Sequence, residues 1–290
     1  MNILSLIKFI VSHPLNRAQP SKALIRFVRW QIGSRILPYP VALPYAAGTS
    51  FVCERGMGGA TQNYYCGLHE SNEMGFVLHL LSSSDLFIDI GANVGTYTLL
   101  AAGAAGANVI AVEPIPKTFD RLQRNIRYNS LNVQAHCVGL SSSAGLLHFT
   151  TDLDAMNRVA LSDDVGPSIS VPVMTLDNLC RDQNPTVIKI DVEGHELSVL
   201  KGGAQTLSSP SLKAVIMETN ESGARFGHTD DELVDTMFGH GFKTFKYDAM
   251  KRELTPANKG DLNTIFLRHA DEIEEACKAS PRYSLVNGDV

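Results

Sequence analysis

The chain is predicted to adopt an α/β fold, a doubly wound sheet of about seven strands. Two features point to it. From Glu73 onward, short apolar runs alternate with stretches of helical length, the order required by a parallel sheet with crossover helices. Residues 86–100, LFIDIGANVGTYTLL, place a glycine-bracketed turn between an apolar strand and a buried helix, and such turns hold ligands at the carboxyl edge of the sheet.

The first half of the sheet is read as strands at about 86–90, 109–113 and 133–137, with helices near 94–105 and 117–129 between them. Later strands follow at 187–191, 214–218, 242–246 and 263–267, separated by helices that begin near Glu196 and Asp231. Residues 146–150 and 169–173 alternate in polarity and are joined by a polar loop containing Gly166 and Pro167, so they are expected to form a hairpin that roofs the site. Residues 40–72 are rich in Gly, Pro and Tyr without a persistent helical period, and read as a loop-and-strand lid. The expected organisation is an N-terminal basic extension and lid (1–72), a catalytic domain (73–269) and a tail (270–290) that forms a short acidic helix before fraying.

The 290 residues are 44% hydrophobic, enough for a sizeable core, and the net charge of −5 argues against nucleic acid as a partner. The five cysteines are odd in number and form no C-x-x-C pair, which suits reduced thiols in the cytoplasm rather than a zinc site. Residues 3–11 are apolar but interrupted by Lys8, and they fall well short of the roughly 20 residues needed to span a bilayer. They also lack the features of a signal peptide, so a cytoplasmic location is expected.

Charge is unevenly distributed. Residues 1–53 contain no Asp or Glu but carry Lys8, Arg17, Lys22, Arg26, Arg29 and Arg35. Leu24, Phe27, Val28 and Ile32 recur at helical spacing while Lys22, Arg26 and Arg29 share another face, the pattern of a basic amphipathic helix. Two readings stand: the apolar face docks on the catalytic domain or on a second subunit of a homo-oligomer, or the helix makes peripheral membrane contact with anionic lipid.

The turn itself departs from the dinucleotide fingerprint, because Asn93 stands where a second glycine would let a pyrophosphate approach. Asp89 would repel a diphosphate but attract a ligand bearing an ammonium and a sulfonium, as S-adenosyl-L-methionine does. Glu113 ends the second strand 22 residues beyond Gly91, and a carboxylate there can accept hydrogen bonds from both ribose hydroxyls. Gly91, Ala92, Asn93 and Gly95 form the turn, and Pro114 fixes the chain as it leaves the strand.

Four segments in order, FIDIGANVGTYTL, VIAVEPIPKTFDRLQRNI, VPVMTLDNL and VIKIDVEGHELSVLKGG, resemble the FkbM-type methyltransferases over about residues 70–267. RGMGGATQNYYCGLHE resembles the segment that precedes the domain in some members. The resemblance implies the Rossmann-like fold of class I methyltransferases, S-adenosylmethionine as donor, and methylation of a hydroxyl on a sugar or similar natural product. It further implies that Asp89, Gly91, Asn93 and Gly95 contact the methionine part and that Glu113 binds the ribose. Where many relatives carry Leu-Ser-Asp after the third strand, this chain has Leu140-Ser141-Ser142, so a contact from Ser142 or from a backbone carbonyl is expected to replace an acidic one at the adenine.

A hydroxyl acceptor needs a base or a metal nearby, and IDVEGHE offers candidates for both. His195 is the leading general base, with Glu193 to hold its tautomer. The alternative is that His195 and Glu196 only cap the helix and shape the loop. Asp191 and Glu218, with Asn220 nearby, are expected side by side at the sheet edge, where oxygen ligands suit Mg²⁺. Alternatively Glu218 and Asn220 hydrogen-bond substrate or backbone, and no metal ligand set is assigned. His69, Glu70 and His228 are weaker candidates for acceptor contacts. An NAD-dependent oxidoreductase and a non-catalytic cofactor-binding module are the rival readings, and the identity of the acceptor is not encoded in any motif.

Overall fold

Apolar β-rich segments covered on both faces give the structure its centre. The computed structural model describes residues 3–153 and 156–290. Helices α1 (Ile3–Ser12) and α2 (Pro20–Ile36) form a hairpin and are followed by β1 (Val41–Pro44), β2 (Ser50–Cys53), α3 (Gly58–Cys66) and α4 (Ser71–Leu80). The sheet opens with β3 (Leu86–Ile90), α5 (Thr96–Leu99), β4 (Asn108–Val112), α6 (Pro116–Tyr128) and β5 (Val133–His136). A side sheet of β6 (Gly139–Leu140), β7 (Gly145–Thr150) and β8 (Ser168–Met174) intervenes before α7 (Leu176–Leu179) and β9 (Val187–Ile190). Then come α8 (Glu196–Lys201), α9 (Ala204–Ser208), β10 (Ala214–Glu218), α10 (Asp230–Gly239), β11 (Lys243–Asp248), β12 (Glu253–Pro256) and β13 (Asn263–Leu267). Helix α11 (Ala270–Ala279) and the hairpin β14 (Ser284–Leu285) and β15 (Gly288–Asp289) complete the order.

The main sheet runs β12-β11-β13-β10-β9-β3-β4-β5. Strands β10, β9, β3, β4 and β5 are parallel, whereas β13 runs antiparallel to both β10 and β11. The chain winds outward from β3 through β4 to β5, then crosses back and continues through β9 to β10. The crevice for a ligand therefore lies at the carboxyl ends of β3 and β9. Along β3, Phe87 enters one hydrophobic core while Ile88 and Ile90 enter the other, the two-sided burial expected of a parallel strand.

Four expectations are corrected. The sheet has eight strands rather than about seven; β12 was not anticipated because this edge strand is mostly exposed, with burial only at Leu254. Residues 58–66 are helical, not lid loop; two glycines, poor helix formers, open α3, and burial of Ala60, Thr61, Asn63, Tyr65 and Cys66 leaves no polar face to mark its period. Helix α2 buries Ala23, Phe27 and Trp30, while Val28 and Ile32 face outward. Arg26 turns inward, its Nη2 donating to the Tyr65 carbonyl at 2.7 Å and Asn16 Oδ1 at 3.1 Å. The tail does not fray after its helix. Asn287 Nδ2 donates to the Cys66 carbonyl at 2.7 Å and Asn16 Oδ1 at 3.0 Å, stapling the last hairpin to the first helices. No helix among the described residues is long and apolar enough to cross a membrane.

Helix α6 joins strand β2 to the ligand turn. Buried Asn125 accepts a hydrogen bond from Val52 N at 2.8 Å and donates one to the Val94 carbonyl at 2.7 Å. Asn125→Ala leaves both backbone groups without these partners, and we expect a loss of about 2–4 kcal/mol, read as a lower urea midpoint; an unchanged midpoint refutes the clamp.

Candidate cofactor and acceptor site

The turn after β3 is shaped by contact with the neighbouring strand. Gly91 has φ +79°, and a Cβ there would stand 1.8 Å from the Asp191 carbonyl oxygen, so only glycine lets the ends of β3 and β9 approach this closely. Asn93, at φ 51°, aims its backbone N–H at Glu113. Glu113 lies just past β4, its Oε2 accepting from Asn93 N at 3.0 Å and its Oε1 from Ile115 N at 2.9 Å. The amides fix the carboxylate, and each oxygen keeps a further lone pair for a ligand hydroxyl. Burial pushes the Glu113 pKa up to about 7 against the pull of these amides, and Asp89 and Asp191 add to the rise. Asp89, which accepts from Thr98 Oγ1, is raised to about 6, mainly by burial. A cationic ligand would favour the charged form of both acids.

A cavity of about 240 Å³ opens beside this turn. Asp89, Gly91, Ala92, Asn93, Glu113 and Pro114 line its cofactor side. Lys189, Asp191, Glu193 and Glu218 line the far side, His69 and Glu70 enter from the segment before α4, and Phe149, Asn157 and Arg158 enter from the side sheet and its connection. Gly91, Pro114, Phe149 and Val192 also border a narrow apolar slot of about 20 Å³, walled further by Val138, Leu140 and His195. This combination suits S-adenosylmethionine: a locked acid for vicinal hydroxyls and carboxylates for positive charge.

Carboxylate oxygens of Asp191, Glu193 and Glu218 lie within 4.8 Å of one another. Lys189, buried within β9, reaches the group: Nζ donates to Asp191 Oδ2 at 3.0 Å and to Asn263 Oδ1 at 3.1 Å. Burial opposes the Lys189 ammonium, but Asp191, Glu70 and Glu218 outweigh it and hold its pKa above the ordinary value. Glu70 accepts from Tyr97 Oη at 2.6 Å and Asn263 Nδ2 at 2.9 Å. Although burial works the other way, His69, Lys189 and these hydrogen bonds keep the Glu70 pKa low. Burial, then Asp191 and Glu196, raise Glu193 to about 7; burial, Asp191 and Glu193 raise Glu218.

The structure thus brings together Asp191, Glu193 and Glu218 with Asp89, Gly91, Ala92, Asn93 and Glu113, whereas Gly95 faces the side chains of Leu122 and Leu99 rather than the cavity. It sets four further candidates apart. His195 borders the apolar slot, not the larger cavity, and its Nε2 lies 3.1 Å from Ser141 Oγ rather than against Glu193. Burial, with His228 second, lowers its pKa to about 4. Ser142 is exposed, its backbone packed near Gly202, because Ser141 is the serine that turns inward. Asn220 is exposed and accepts from Ser222 N, while His228 Nε2 meets the Gly194 carbonyl at 2.9 Å. Residues not anticipated are Lys189, Tyr97, Phe149, Asn157 and Arg158. Only Lys189 left a signal, as a lone charge inside the buried run VIKI.

Two-way winding from β3, with β13 reversed between β10 and β11, gives the Rossmann-like doubly wound sheet expected from the sequence. Residues 89–244, more than half of the 290-residue chain, match the methyltransferase FkbM domain. The chain belongs to the FkbM methyltransferase family. It is 36% identical over 149 residues to the hexuronic acid methyltransferase AglP of Haloferax volcanii, covering 50% of this chain and 61% of that protein. It is 29% identical over 159 residues to methyltransferase sdnD of Sordaria araneosa (42% and 61% covered). To the 31-O-demethyl-FK506 methyltransferase FkbM of Streptomyces tacrolimicus it is 26% identical over 199 residues (56% and 74% covered). The chain therefore spans about three fifths of the length of the first two relatives.

Gly91→Ala is expected to lower the melting temperature and abolish saturable S-adenosylhomocysteine binding in calorimetry, since the methyl meets the Asp191 carbonyl. Gly33→Ala, with open space around it in α2, serves as the control and should be neutral or stabilising. Normal binding by Gly91→Ala contradicts the close approach.

Proposed function

We propose that the protein O-methylates a hydroxyl of a sugar, glycan or comparably polyhydroxylated acceptor. The observation that carries this reading is the polar far wall of the cavity, where a half-buried carboxyl poised near neutrality, Glu193, stands with Asp191, Glu218, Asn157 and Arg158. Such a wall matches the hydrogen-bonding groups of a sugar. The names of two relatives support it, one specifying a hexuronic acid and the other the 31-O position of a demethylated FK506.

When bound, S-adenosylmethionine supplies a methyl carbon made electrophilic by a sulfonium. The rest falls to the protein. Asp89 and the 91–94 turn hold the methionine part, with Gly95 letting the chain enter α5, Ala92 and Pro114 border it, and Glu113 takes the ribose hydroxyls. Glu193 accepts the proton of the acceptor hydroxyl, and burial, followed by Asp191, strengthens it as a base by raising its pKa. Glu218, raised further, shares the site as a hydrogen-bonding acid. Lys189 balances Asp191, providing locally the positive charge that Mg²⁺ would otherwise bring. His195 is a positioning residue in this scheme: its ring walls the slot and stays neutral. Phe149, Asn157 and Arg158 help exclude water. The division at residues 72 and 269 belongs to the same proposal, with His69 and Glu70 serving the catalytic unit from the extension.

Glu113→Ala should weaken S-adenosylhomocysteine binding by roughly 10- to 100-fold in calorimetry, with NAD bound by neither form; tight NAD binding would falsify the donor assignment. With isotopically labelled donor and fractionated glycans, the labelled product should carry an O-methyl group, and label found on nitrogen or carbon rules the reading out.

Glu193 serves as a base only when ionised, so kcat should rise with pH to a plateau above about 7 and fall away below it. Glu193→Gln should remove that inflection and cost on the order of 10²–10⁴ in kcat. An unchanged profile assigns the proton to another group.

A further inference from the structure

We propose that the outward face of the α1–α2 hairpin docks on an anionic lipid surface. Helix α2 has two apolar faces. Ala23, Phe27 and Trp30 pack inward, with Phe27 edge-on to Tyr65 at 5.3 Å. On the opposite side Ile25, Val28, Ile32 and Ile36 stand 49%, 49%, 56% and 71% exposed. Steps of about 100° per residue place these four within an arc of about 80°, so they form one stripe. Lys22 and Arg29 fall on one flank of the stripe and Arg35 on the other. Helix α1, which packs against α2, adds Ile3, Leu4 and Val11 at 61%, 75% and 38% exposure, with Lys8 exposed between them.

An outward helix face facing only water is normally polar. Here an apolar stripe is bordered by cations on both sides, the arrangement that lets aliphatic groups enter the headgroup region while ammonium and guanidinium groups meet lipid phosphates. The charge distribution agrees. Residues 1–53 carry six Lys and Arg and no acid, whereas the remainder carries 19 basic and 30 acidic residues (25 − 6 and 30 − 0), a net −11. The acidic body is repelled by an anionic surface and the hairpin attracted, which orients the molecule hairpin-down. A symmetric dimer through the same face is disfavoured, because it would bring Lys22, Arg29 and Arg35 of two copies together.

The test is sedimentation of the full chain with vesicles of phosphatidylcholine alone or mixed with phosphatidylglycerol, at low and high salt. At least about tenfold more protein should pellet with the anionic vesicles at low salt, and high salt should release it. Val28→Glu with Ile32→Glu, or the milder Ile32→Ser with Ile36→Ser, should reduce binding while S-adenosylhomocysteine affinity and the circular dichroism spectrum stay unchanged. Failure to pellet at low salt, equal pelleting with neutral vesicles, or full binding by both variants overturns the proposal. So does a concentration-dependent dimer in sedimentation velocity that the same substitutions dissolve, which would assign the face to a second copy.

Discussion

An ammonium buried in the middle of a parallel sheet has to be surrounded by negative charge and hydrogen-bond acceptors, because moving it unpaired out of water costs several kcal/mol even after relaxation. Lys189 imposes that demand on the structure around it. Asp191 answers from the residue just past the same strand, Asn263 from the reversed strand β13, and Glu70 through Asn263 from the segment that precedes α4. The ring of Tyr97 completes the surround, with Nζ 5.4 Å from its centroid. One positive charge thus binds four parts of the chain to the crevice, and it balances the acids that crowd the far wall.

This dependence explains what could be read from sequence and what could not. Strands β3, β10 and β13 announce themselves as short apolar runs bounded by polar residues, and their residues fell where the pattern put them. The turn and Glu113 were equally legible, since their relation is one of spacing along a single strand-turn-helix-strand unit. Lys189 was not, because its partner Asn263 is 74 positions away and comes beside it only when β13 runs in reverse between β10 and β11. His195 lies apart from the acids of the far wall for a related reason. It follows Asp191 and Glu193 closely in sequence, yet the positive φ of Glu193 and Gly194 turns the chain so that the imidazole faces Ser141 and the apolar slot.

The N-terminal extension proves less separable than its composition suggests. Glu70 is part of the charge network, and β2 is held by a side chain of α6, Asn125, that also grips the ligand turn. A cut at residue 72 would remove His69 and Glu70 from the cavity wall and leave Asn263 and Tyr97 without a shared acceptor. Composition marks where charge changes sign along the chain; it does not mark where one set of contacts ends.

The staple made by Asn287 gives folding a direction in time. Asn16 and Asn287 are 271 positions apart, so a ribosome adding about 5–20 residues per second makes the second partner roughly 15–50 s after the first. The first helices therefore receive this clasp only after every residue of the ligand crevice has been made.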